Sequence, residues 1–173
     1  MTRRLHIGGE IFDANWEIFN IQPGPHVDHV GDAKDLSRFD DETFDELYAS
    51  HVVEHFDYIG PLLEAFKEWY RILKPEGKLY ISVPNMDILC QLFRKHKELK
   101  LQARFQVMRM MFGGHIDQYD YHYVGLDVDI LSSYLVQAGF RKLEKVEDFG
   151  VFKDTSLLRV AGVPISLNVI AFK

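Results

Sequence analysis

The sequence predicts an α/β domain built on a mostly parallel sheet, and three observations predict it. Short apolar runs closed by glycine or proline alternate with helical patterns through the first half of the chain. One strand–helix–strand unit stands complete between Gly31 and Asn85. Two further apolar runs near the end, Arg141–Phe149 and Pro164–Phe172, lack a helical pattern between them and predict an antiparallel hairpin closing one edge.

Taken in order, Leu5 and Ile7 alternate with Arg4 and His6 and run into Gly8-Gly9, a short strand ending in a tight turn. Glu17–Ile21 is a second short strand, closed by Pro23-Gly24-Pro25, and Val27–Val30 a third, closed by Gly31-Asp32. The segment between the first two, Gly9 to Trp16, is too short for a crossover helix, so this part of the fold is abbreviated. Phe44–Ala49 alternates apolar and polar residues and leads into Ser50-His51. A helix follows, beginning near Val52 or Gly60 and reaching Leu73, because Leu62, Leu63, Phe66, Trp69, Tyr70 and Leu73 recur at helical spacing. Lys74-Pro75-Glu76-Gly77 breaks it, and Lys78–Val83 is the next strand, ended by Pro84-Asn85. Residues 86–112 carry one helical pattern with a basic run from Arg94 to Arg104, an inserted helical region expected over one edge of the sheet. Gly113 to Gly125 is a loop rich in His, Asp and Tyr. Asp127–Ala138 is a helix that Gly139 ends.

The 173 residues fit one domain, 1–173, large enough for one substantial core. The net charge of −6 argues against broad binding to nucleic acid or anionic membranes. The first residues contain no long apolar stretch of the secretory type, and no run approaches the roughly 18 residues of a membrane helix. The expectation is a soluble cytoplasmic protein, monomeric or homodimeric. The single cysteine, Cys90, forbids an internal disulfide and reads as a small buried hydrophobe.

An ordered set of segments then carries a resemblance: Gly31-Asp32-Ala33, Phe44-Asp45, His51-Val52-Val53-Glu54-His55, Leu73-Lys74-Pro75-Glu76-Gly77-Lys78-Leu79 and Val83-Pro84-Asn85. With these spacings the chain resembles the class I S-adenosylmethionine-dependent methyltransferases, and looks closest to a small subgroup found near surface-polysaccharide biosynthesis functions. The resemblance implies a Rossmann-like, seven-stranded, mostly parallel sheet. It implies S-adenosylmethionine as cofactor and a small-molecule or glycan acceptor, with no metal. It places the methionine part of the cofactor at Gly8 and Gly9, the ribose at Asn20, the adenine at Asp32 and Ala33, and the sulfonium beside Ser50 and His51. Two positions depart from the family pattern: Glu10 stands where a glycine is common, and Asn20 where an acidic residue usually accepts from the ribose hydroxyls. An asparagine lacks the charge-assisted bond, roughly twice as strong as a neutral one.

His51, His55 and His122 are the catalytic candidates. Imidazole titrates near neutral pH, so each can hold or deprotonate an acceptor, or can instead pin the local backbone. His122 lies in Asp120-Tyr121-His122, which is similar to a signature of the same subgroup. Two other readings stay open. The chain can be a non-catalytic binding or partner module on this fold. His51, Glu54 and His55 also match H-x-x-E-H, a zinc-hydrolase signature that needs an uninterrupted helix and a third ligand, for which His115 or His122 would serve.

Overall fold

A computed structural model describes residues 2–173. Its strands are β1 (Arg4–Ile7), β2 (Glu17–Asn20), β3 (His29–Val30), β4 (Phe44–Ser50), β5 (Leu73–Pro84), β6 (Lys142–Val146), β7 (Arg159–Val160), β8 (Val163–Pro164) and β9 (Ser166–Phe172). Its helices are α1 (Pro61–Ile72), α2 (Met86–Arg94), α3 (Leu101–Phe112) and α4 (Val128–Ala138). Seven strands form one sheet in the order β3-β2-β1-β4-β5-β9-β6. The first five run parallel, and β9 inserts antiparallel between β5 and β6. This is the α/β fold the sequence predicts, seven strands and C-terminal hairpin included.

The connection from β1 to β2 holds no helix, as its length requires, and none lies between β2 and β4 either. All the crossover helix on one face is therefore α1 and α4. They pack together over Leu5, Ile7, Phe44, Leu47, Leu79 and Ile81, the inward residues of β1, β4 and β5. Among the described residues no helix layer covers these strands on the other face. That face is covered by an aromatic patch in which Phe152 stacks on His6 at 4.3 Å and meets Tyr48 at 4.8 Å and Trp16 at 5.5 Å, ring centre to ring centre. The Tyr48 hydroxyl donates to the Asp154 carboxylate at 2.9 Å, which fastens the 147–157 segment to the sheet.

Four expectations change. The helix ends at Ile72, and residues 73–77 are extended rather than a break, because Leu73 already pairs with Phe44. The Lys173 ammonium donates to the carbonyls of Tyr70 and Leu73 and so satisfies the helix end that would otherwise need a capping turn. The long pattern at 86–112 is two helices, since the charged run at 95–100 offers only Leu99 to the apolar cluster. Val27 and Asp28 lie outside β3: Val27 N–H closes a turn on Gly24, and the Asp28 carboxylate accepts from Ile18 N–H. Cys90 is exposed rather than buried. Helices α2 and α3 build a second apolar cluster with the β7–β8 ribbon around Leu89, Val107, Val160 and Ile165. Among the described residues no helix is long and apolar enough to cross a membrane.

Candidate functional site

The sheet order reverses between β1 and β4, so chain leaving β1 and chain leaving β4 part in opposite directions. In open α/β sheets the crevice at that point takes the ligand. Here it is a cavity of about 760 Å³ at the carboxyl ends of β1, β2 and β4, within the usual range of roughly 300–1,000 Å³ for small-molecule sites. Gly8, Gly9, Asn20, Asp32, Ala33, His51 and His55 all line it.

Each wall has a local cause. Gly8 has φ +73°, and a Cβ there would sit 2.5 Å from a Val52 methyl carbon. Gly9 lies flat on the His6 ring, 2.5 Å from where its own Cβ would be. The loop thus needs both glycines to pass between Val52 and His6. The Asn20 amide donates to the Gly9 carbonyl at 3.0 Å, while its oxygen accepts from Gln22 N–H at 3.0 Å. Asn20 therefore ties the glycine loop to the end of β2. Asp32 accepts from Lys34 N–H and pairs with the Lys34 ammonium at 2.8 Å. The Ala33 carbonyl accepts from the Trp69 indole at 2.8 Å, which anchors this turn to α1.

On the opposite wall, His51 has φ +56° and sits at a bend, not on a helix. Its Nε2 is 2.9 Å from the Ser166 hydroxyl. Burial drives its pKa down to about 4, so the ring is neutral at pH 7. A 3-10 turn, Val53–His55, follows. The His55 Nδ1 is 3.0 Å from the Tyr121 carbonyl, and its pKa is also lowered by burial. The 113–123 loop folds against this turn through Tyr123 N–H, which donates to the Glu54 carbonyl at 2.8 Å. That brings His122 edge-on to His55, with 4.8 Å between ring centres. Burial, with His55 alongside, holds His122 near about 4. Glu54 is buried at 2% exposure, and burial pushes its carboxyl up to about 8.

Two site candidates fall outside the cavity wall. The Ser50 hydroxyl is 2.9 Å from the Thr155 hydroxyl instead, and His122 stands behind His55. The residues His51, Glu54 and His55 do not form the helical zinc pair that H-x-x-E-H suggests, because a bend and one 3-10 turn replace the helix. Sequence reasoning did not single out Lys34, Gln22, Asp117, Tyr119 or Tyr123 as cavity residues. The only signal for the last three was the density of Asp and Tyr in the loop.

Residues 15–81 match the family model described as a methyltransferase domain. A SAM dependent methyltransferase from Archaeoglobus fulgidus superposes with a TM-score of 0.61 at 20% identity, over 99% of this chain and 86% of that one. A SAM-dependent methyltransferase from Thermotoga maritima, described as a possible histamine N-methyltransferase, gives 0.57 at 17% identity over 100% and 83%. The YcgJ protein of Bacillus subtilis gives 0.56 at 16% identity over 99% and 92%. No curated protein matches the chain significantly. The fold is that of the class I methyltransferases, and residues 15–81 of this chain are similar to a methyltransferase domain.

Proposed function

We propose that this domain moves a methyl group from S-adenosylmethionine to a small-molecule or glycan-type acceptor. The observation that carries the reading is the cavity itself: it gathers Gly8, Gly9, Asn20, Asp32, Ala33 and His51 from four separate segments at the switch point of the sheet. In this reading the methionine end lies on the glycine loop, the ribose by Asn20, and the adenine between Asp32 and Ala33. The acceptor approaches from the side of His51 and His55, with His122 positioning His55. The glycan-type acceptor rests on the resemblance of Asp120-Tyr121-His122 to a subgroup signature, and the net charge of −6 agrees with the exclusion of nucleic acid.

Transfer is an in-line displacement: the acceptor heteroatom forms a bond to the methyl carbon as the carbon–sulfur bond breaks and its electron pair stays on sulfur. Alignment is the protein's main contribution, and positioning supplies up to roughly 7–11 kcal/mol in favourable cases. The neutral His51 imidazole can take the acceptor's proton, but with its pKa at about 4 it is a weak base. It suits an acceptor already partly deprotonated better than an unactivated hydroxyl. Loss of methyl transfer in His122→Ala with cofactor affinity unchanged is the expected result; full activity in that variant removes His122 from the mechanism.

One observation favours a second reading, a partner or binding module without turnover. One donor and one acceptor site of the Asn20 amide are engaged by the backbone, so the ribose meets a neutral side chain with half of its hydrogen-bonding capacity in use. Calorimetric titration with S-adenosylmethionine and S-adenosylhomocysteine separates the two. Micromolar binding is the expected outcome; silence at millimolar cofactor leaves the module.

A further inference from the structure

We infer that Glu54, His55 and His122 form a binding site for a divalent first-row transition ion, with Zn²⁺ as the reference. One donor atom from each of these residues lies within 4.8 Å of the other two. The inference rests on this geometry and not on the methyl-transfer reading.

Three features make the cluster a built site. First, both imidazoles are turned the same way. The Nδ1 of His55 is 3.0 Å from the Tyr121 carbonyl, and the Nδ1 of His122 is 3.0 Å from the Met110 carbonyl. A carbonyl can only accept, so each Nδ1 carries the proton and each Nε2 keeps its lone pair. Carbonyls that orient metal-binding histidines do the same work. Second, neither carboxylate oxygen of the buried Glu54 has a hydrogen-bond partner, although His51 Nδ1 stands 3.5 Å from Oε1. An unsatisfied buried polar group destabilises the fold, and a bound cation would satisfy this one. Third, His55 also lines the cavity, so one of the three protein ligands borders the candidate site.

Two nitrogens and one carboxylate suit zinc or iron(II) better than calcium or magnesium, which prefer all-oxygen shells. Ligand bonds of about 2.0–2.1 Å in a tetrahedron place donors about 3.3 Å apart, so the three side chains must close by at most about 1.5 Å. The site differs from the one H-x-x-E-H suggests. There Glu54 would be a general base and His51 a ligand. Here His51 Nε2 engages Ser166, Glu54 is itself a ligand, and His122 comes from a distant loop.

The test uses the full chain stripped with chelator and titrated with Co²⁺, read by visible absorption and then by displacement with Zn²⁺. One equivalent per chain with the spectrum of four- or five-coordinate cobalt is expected. Glu54→Gln and His122→Ala should each weaken binding by about tenfold or more, and His96→Ala, at an exposed histidine elsewhere, should not. Circular dichroism confirms folding; if His122→Ala unfolds, His122→Gln replaces it. No cobalt spectrum at millimolar ion overturns the inference, as does stoichiometric binding that survives both Glu54→Gln and His122→Ala. The same preparations are titrated with S-adenosylmethionine. Cofactor binding without metal binding sinks this site alone, and metal binding without cofactor binding sinks the methyl-transfer reading alone.

Discussion

His6 shows how one residue links the core to the site. Its ring is 3% exposed, stacked on Phe152 and covered by Gly9, and its Nδ1 has no hydrogen-bond partner. Burial lowers its pKa from 6.5 to about 4, partly opposed by Asp154. The folded protein therefore holds this ring neutral, while the unfolded chain protonates it below pH 6.5. Stability falls as pH drops from 6.5 toward 4, by about 3 kcal/mol at most from this residue. His6→Phe keeps the stack and removes both the titration and the orphaned nitrogen. Denaturation across pH 4–7 should show the gap between variant and parent widening in acid; parallel curves would refute the assignment. Gly8→Ala tests the neighbouring loop. It combines left-handed backbone with the contact on Val52, so it should destabilise more than Gly150→Ala, where φ is +68° and nothing lies within 4 Å. The backbone share is about 1 kcal/mol or more in both. Gly8 and Gly9 were legible in the sequence because a glycine pair after an apolar run has few other uses. His6 was not. Alternation marks it as facing away from the helices, but nothing local says that this second face is also buried.

At the scale of elements, the same face explains what periodicity could and could not reveal. Helix α1 was legible because its core contact repeats at helical spacing, and Leu62, Phe66 and Trp69 are buried as expected. The 147–157 segment does the work of a helix layer with no period at all: Phe149, Phe152 and Asp154 reach the sheet from an irregular chain. Irregular backbone leaves no pattern to read: the strand expected over Arg141–Phe149 ends at Val146, and the residues beyond Phe149 read in the sequence only as the loop of the hairpin. Phe152→Ala should cost about 3–5 kcal/mol, the usual range for a buried phenylalanine, whereas Phe152→Leu should cost below about 1.5 kcal/mol. The truncation also frees the His6 ring under Gly9, so cofactor affinity should fall in the alanine variant and hold in the leucine variant. Equal stability of the two, by urea unfolding, would mean the segment is only draped over the sheet. The helical region 86–112 was legible as helix and not as two helices, because the charges at 95–100 weaken the pattern without an outright proline or glycine break.

The whole molecule joins two apolar clusters, one under the sheet with α1 and α4, the other between α2, α3 and the β7–β8 ribbon. The candidate cavity draws its walls from the β1–β4 segments and from the 113–123 loop, and Gln22 reaches across it to Asp117 at 3.3 Å. A ligand there holds both walls at once. Cofactor at a hundred times its Kd would stabilise the native state by about 2.7 kcal/mol, a rise of about 5–10 °C in Tm for a chain of this size. If the chain is one cooperative domain, the entire transition moves as one. If the α2–α3 cluster melts by itself, a first transition stays where it was and only the second shifts. The prediction is a single shifted transition, because β5 runs directly into α2 through Pro84 and Asn85, and Asn85 N–H donates to Ile165 of the second cluster at 2.8 Å. Calorimetry with and without S-adenosylmethionine reads this, and hydrogen exchange locates it. Protection should rise over residues 8–34 and 113–123 and stay level in α3, which has no residue on the cavity wall. Protection confined to α3 would place the ligand elsewhere and undo the assignment of the cavity.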